Sequence, residues 1–194
     1  MNAPTSRIVL DEAHQALRTA VAGVPADAWA RPTPCAAWNV TQVLQHAALD
    51  QLAYTTALTG APKGEEDPFA PSGTLPEDPR EWLEEHLAGA AAAWAGVPAD
   101  AESAPVPLPP FALPPALGAG ACALDAAVHA WDIAVATGQA SPLTPDLARA
   151  LLPAARAVVT EPLREYGMYA PAIVPPPGAD ETTELLNFLG RSPR

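Results

Sequence analysis

The stretch DAAVHAWD, residues 125 to 132, places Asp125, His129 and Asp132 at i, i+4 and i+7. On an α-helix with about 3.6 residues per turn, these three side chains share one stripe. A carboxylate and an imidazole one turn apart are a common way for a helical bundle to hold a transition metal, because both project to the same interior point. An Asp four residues before a His is also often only a local hydrogen-bonded pair, so spacing alone leaves both readings open. Two ligands from one helix do not make a site, and a third must come from a facing helix. His46 is the candidate, because it lies within a long amphipathic run. His14 and His86 stand beside Asp11 and Glu12 or Glu84 and Glu85 and are expected to be solvated. His46, Asp125 and His129 with water or substrate completing the shell would be the catalytic pattern, not the closed structural one. Asp132 reads as a support that fixes an imidazole tautomer.

Two cysteines, Cys35 and Cys122, are too few and too far apart for a disulfide scaffold or a cysteine-based zinc site, and both are expected to be reduced. Cys35 precedes a helix start that could lower a thiol pKa, although a small buried hydrophobe is the plainer reading. Trp38 and Trp131 are expected in the core.

Helices must position these groups. Ile8, Val9, Ala13, Ala16, Leu17, Ala20 and Val21 follow a helical period over about 6–22, with Thr5 or Ser6 available as N-cap. In NVTQVLQHAALDQLAYTTALTG, Asn39 is a good N-cap with Gln42 three residues on, and Gly60 is a natural stop. Residues 61–77 mix Pro, Gly and acid and predict a surface loop. Asp78 as cap and Pro79 at the first helical position open a third helix that ends near Gly96. The Pro-rich segment 98–115 predicts an extended crossover. A fourth helix follows over about 116–137, nearly free of charge apart from Asp125 and Asp132 and therefore expected to be buried around most of its girth. Thr144 and Pro145 open a fifth to about Thr160, which Pro153 should kink or interrupt, and TTELLNFLG closes the chain with a short amphipathic segment. The sum is an all-α, up-and-down four-helix bundle with a Pro-rich crossover and additional C-terminal helices, read as a single domain over 1–194.

A chain of 194 residues can bury a core without disulfides or structural metal. Ten basic against 22 acidic residues give a net charge of −12, which disfavours a phosphate-backbone partner, so no nucleic-acid role is expected. MNAPTSRIVL lacks the pattern of a signal peptide, and the longest apolar stretch, Phe111 to Leu124, is broken by Pro and Gly. The expectation is a soluble cytoplasmic protein with no membrane partner.

TPCAAWNVTQVLQH is similar to the T-P-C-x-x-W-x-V-x-x-L-x-x-H signature of actinobacterial members of the DinB-like metal-binding superfamily, with Val43 and Leu44 shifted slightly. VHAWDIAVATG resembles that family's V-H-x-W-D-x-A-x-A-T-G segment, and LLNFLGRSP resembles its L-x-x-F-L-G-R-x-P ending. The resemblance extends to the mycothiol-dependent maleylpyruvate isomerase N-terminal domain. It implies a four-helix bundle in which His46, Asp125 and His129 bind a divalent metal, zinc or nickel. Asp125 stands where many relatives have Glu, one methylene longer. The resemblance further implies an enzyme whose metal deprotonates a low-molecular-weight thiol such as mycothiol as cosubstrate, acting as an S-transferase or isomerase on a small-molecule electrophile. A metal-binding bundle without thiol chemistry, and a bundle binding a small ligand without metal, stay open as alternatives. A homodimer formed through an exposed helix face is also compatible with this architecture.

Overall fold

Capping chemistry decides where the helices begin, in a computed structural model that describes residues 3–193. The Asn39 side chain accepts from the Gln42 N–H at 2.9 Å, and the Gln42 side chain accepts from the Asn39 N–H at 3.1 Å. This reciprocal box opens α2 (Val40–Thr59), and Gly60 closes it in the left-handed conformation. Asp78 accepts from the N–H groups of Arg80 and Glu81 and starts α3 (Pro79–Gly96), with Pro79 where its missing N–H has no cost. Thr144 does the same for α5 (Pro145–Val158) through the Leu147 N–H. α1 (Ala3–Ala22) begins earlier than its sequence suggests. Ser6, an expected cap, therefore lies inside the helix; Thr5 does too, and its side chain is outside the described residues.

α4 (Pro115–Thr137) is the central element. It packs on α1 and α2 along the bundle and on α5 outside it, while α3 lies across from it against α1 and α2. The bundle therefore closes in the order α1, α4, α2, α3, and the architecture is all-α as expected. By length and apolarity α4 would suffice to cross a membrane, a point the broken run from Phe111 to Leu124 concealed, but 78% of its most apolar window is buried within the bundle. Small residues permit that close wrapping: a Cβ added at Gly120 would stand 2.8 Å from the Ala154 methyl on α5.

The crossover is extended as expected and carries a small antiparallel ribbon, β1 (Ala104–Pro105) with β2 (Ala112–Leu113). Pro153 does not break α5. Its ring faces solvent, so the one carbonyl it deprives of a donor can bond water. α5 stops at Val158, and a short α6 (Glu161–Glu165) follows, seeded by Pro162 and too brief to show a period in sequence. α7 (Glu181–Phe188) returns to pack on α5, burying Leu185 and Leu186. Each such leucine is worth about 1.5–3 kcal/mol of burial, enough to pin the chain's end against the bundle.

Candidate metal centre

Asp125 and His129 stand one turn apart on α4, and His46 projects from α2 to meet them. The His46 Nε2 lies 3.3 Å from Asp125 Oδ1, and the His129 Nε2 lies 3.3 Å from the same oxygen. The other nitrogen of each ring is already committed. His46 Nδ1 is 2.7 Å from the Pro68 carbonyl oxygen and His129 Nδ1 is 2.9 Å from Asp132 Oδ2, so each donates there. In the neutral tautomer so fixed, both Nε2 atoms carry lone pairs and face a carboxylate. The second carboxylate oxygen, Asp125 Oδ2, is buried and has no hydrogen-bond partner. Lone pairs converging in this way repel one another unless a cation or protons lie among them. One ligand atom from each residue falls within 4.8 Å of the others, and two imidazoles with one carboxylate are a donor set that suits zinc or nickel.

The electrostatics of the protein alone carry the same signature. Burial works against ionisation of Asp125, yet His129 and His46 hold its carboxyl well below the usual carboxylate range. Burial likewise opposes a charged His129, but Asp125 and then Asp132 raise its pKa to about 9. Without a cation a proton takes that place: His129 is held as an imidazolium against the Asp125 carboxylate, and a metal would have to displace that proton.

Two walls enclose the centre. The Trp38 ring lies 4.5 Å from the His46 ring and 6.5 Å from that of His129, so Trp38 is half-buried at the site and not a core residue, unlike Trp131. The loop 61–77 is mostly exposed, as expected, but it is also tied down over α2. Gln45 donates to Ser72 Oγ and to the Thr74 carbonyl and accepts from the Gly73 N–H at 2.8 Å, which brings the Pro68 carbonyl and the Phe69 ring onto His46. Composition signals a loop; it does not signal one clamped by a buried glutamine.

Asp132 has the supporting role expected of it, with a partner that helical spacing could not supply. Arg191, just beyond α7, donates from Nε to Asp132 Oδ1 at 3.0 Å and from Nη2 to Oδ2 at 2.8 Å. Asp132 is fully buried, and this pair keeps it ionised to hold the His129 ring. Cys35 comes near His129 and Asp132, but both of these are hydrogen-bonded already. Burial and then the Asp132 charge push its thiol up to about 11, so it stays protonated and is not a nucleophile at neutral pH.

His14 departs from expectation. It is 1% exposed, with Nε2 2.9 Å from Gln51 Oε1, which also accepts from the Cys122 thiol. Its stripe with Leu10 and Leu17 was the stronger signal than its acidic sequence neighbours. His86 is half-buried, its Nδ1 donating to the Trp82 carbonyl at 2.7 Å. Two further groups at the centre escaped the sequence reading. Asp50 lies one turn beyond His46 on α2 and is buried, and Tyr169, in the segment between α6 and α7, feels the charges of both Asp125 and Asp50. The i+4 relation of Asp50 to His46 was the available clue. A separate surface cleft of about 570 Å³, lined by Thr55, Leu58, Gly89, Ala93, Val97 and Ala104 among others, has no titratable side chain in its lining.

Comparison with known proteins places this geometry in context. Residues 10–134 match the sequence profile of the mycothiol maleylpyruvate isomerase N-terminal domain. An uncharacterized protein found in two strains of Mycobacterium tuberculosis is 32% identical over 186 residues, covering 94% of this chain and 95% of its own length. The crystal structure of a histidine-to-alanine mutant of the mycothiol-dependent maleylpyruvate isomerase superposes with a TM-score of 0.62 at 14% identity, over 81% of this chain and 69% of that one. That last likeness is one of fold.

Proposed function

The chain belongs to the family of the mycothiol maleylpyruvate isomerase N-terminal domain, and from that premise we propose that it is a divalent-metal-dependent enzyme that uses a mycothiol-type low-molecular-weight thiol, as an S-transferase or isomerase. The observation that carries the reading is the convergence of two Nε2 atoms and a half-satisfied carboxylate within 4.8 Å. His46, Asp125 and His129 would hold zinc or nickel. When bound, the cation would supply Lewis acidity that favours thiolate over thiol and so a nucleophile at neutral pH.

The chain's own residues do the rest. Pro68 and Asp132 fix the two imidazole tautomers. Trp38 and Phe69 keep bulk water from the His46 side. Asp125 supplies charge, and its second oxygen remains available to a ligand. Cys35 stays protonated, so the nucleophile comes with the cosubstrate and not from the protein. The partners on this reading are the thiol and a small electrophile.

The experiment is elemental analysis of the full chain followed by calorimetry with a thiol. Near-stoichiometric zinc or nickel, abolished by His129→Ala, together with thiol binding to the loaded protein, is the expected result. A His129→Ala protein with undiminished metal would overturn the ligand set. Metal without thiol binding or turnover would leave a metal-binding bundle and remove the enzyme.

A further inference from the structure

Phe69 is 45% exposed, yet it is held in one place. Asp67 fixes it from one side: its carboxylate accepts the Phe69 N–H at 2.9 Å and its carbonyl accepts the Ala70 N–H at 3.0 Å. The Gln45 bonds to Ser72, Gly73 and Thr74 fix it from the other. The ring so placed lies 5.7 Å from the ring of His46, tilted by 58°. A single exposed aromatic is ordinary on a protein surface. One anchored on both flanks against the imidazole of a candidate ligand, with nearly half its surface left open, is a built feature of the site.

Trp38 continues the same wall. Its ring stands 4.5 Å from that of His46 and 6.5 Å from that of His129, and the residue is half-buried. The centre between them is not sealed, since the Asp125 side chain keeps 18% exposure, more than either histidine. If a cation among His46, Asp125 and His129 takes the thiol sulfur, the second reactant must lie beside those three residues, where the two aromatic rings stand. Aromatic rings pair with flat, unsaturated partners in offset or edge-to-face contact, and gain more from them than from area burial alone. Charge narrows the class further. Arg191, the guanidinium that reaches the centre, is spent on Asp132. The loop that carries Phe69 has one lysine, Lys63, against Glu65, Glu66 and Asp67. An anionic ligand laid on Phe69 would meet an excess of carboxylates.

We infer that Phe69, with Trp38 beside it, is the specificity-determining face of the site and selects an electrophile with a flat, unsaturated or aromatic, uncharged body. The inference rests on the thiol-dependent reading of the site and narrows it.

The test uses the zinc-loaded full chain and three probes without a thiol: benzamide, cyclohexanecarboxamide and benzenesulfonate. Wild type, Phe69→Ala and Phe69→Tyr are each assayed for zinc first, and affinities are read from nuclear magnetic resonance titrations. Benzamide and cyclohexanecarboxamide share a head group and a size, so their affinity ratio reports flatness. A loop that had merely loosened would weaken both alike and leave the ratio unchanged. Expected is a benzamide preference of about threefold or more in wild type, lost in Phe69→Ala and kept in Phe69→Tyr, with benzenesulfonate the weaker aromatic ligand. No preference for benzamide, a preference that survives Phe69→Ala, or benzenesulfonate bound as tightly as benzamide overturns the assignment. Calorimetry with 2-mercaptoethanol reports on the thiol separately. Thiol binding without a Phe69-dependent ratio leaves the thiol reading and removes this one. A Phe69-dependent ratio without thiol binding removes the thiol reading and keeps Phe69 as the face of a site for flat, uncharged ligands.

Discussion

At His129 the decisive bond is the one that points away from the metal position. Its Nδ1 donates to Asp132, and Asp132 is held by two bonds from Arg191, so a residue near the chain's end sets the orientation of a ligand 62 positions earlier in sequence. Asp132 is fully buried, and removing one partner of such a pair leaves a charge the interior cannot solvate. Arg191→Ala should therefore lose on the order of 3 kcal/mol of stability in urea unfolding. Zinc affinity should fall about 10- to 100-fold because the His129 ring is no longer fixed. Arg191→Lys, which keeps the charge but not the two-pronged geometry, should lie between. Wild-type zinc affinity in a stably folded Arg191→Ala protein would sink the argument. The local half of this relay was legible, because Asp125, His129 and Asp132 lie within two turns of one helix. The Arg191 half was not, since helical spacing says nothing about a partner brought by the tertiary fold. His14 failed for the opposite reason: its charged neighbours Asp11 and Glu12 point outward, while the stripe from Leu10 to Leu17 carries it inward.

The elements that carry the centre were largely readable because their ends are made by local chemistry. Asn39 with Gln42, Asp78 with Pro79, and Thr144 with Pro145 each start a helix where their side chains or rings demand. The loop 61–77 is different, since its position depends on bonds from Gln45, which in sequence is one more polar residue in an amphipathic helix. Three side-chain bonds to Ser72, Gly73 and Thr74 tether it, each worth about 1 kcal/mol net. That tether also sets the Pro68 carbonyl against His46. Gln45→Ala should make the loop a preferred cleavage site in limited proteolysis and weaken zinc binding by about 10-fold through the His46 tautomer. The helices should survive, so far-ultraviolet dichroism should be unchanged. A variant cut no faster than wild type would show that the loop holds its place without Gln45.

Across the whole molecule, the family profile ends at residue 134, whereas α7 and Arg191 come from beyond it, so the bundle and its C-terminal return act as one unit around the centre. A second buried polar link ties three bundle helices together: His14 on α1, Gln51 on α2 and Cys122 on α4. Burial lowers the His14 pKa from its ordinary value near 6.5; Arg18 adds to the fall, while the Gln51 bond and then Asp11 and Glu84 oppose it. The unfolded chain therefore takes up this proton more readily than the folded one, and the sign follows from linkage. The stability tied to a neutral His14 is present above pH 6.5 and is lost as pH falls below that value. His14→Gln keeps a donor for Gln51 but cannot titrate. Between about pH 7.5 and about pH 5.5 the stability of wild type relative to this variant should drop, with the largest slope below the unfolded-state value. Urea unfolding of both proteins across that range measures it, and two curves that stay parallel would mean that His14 takes its proton as easily inside the bundle as out.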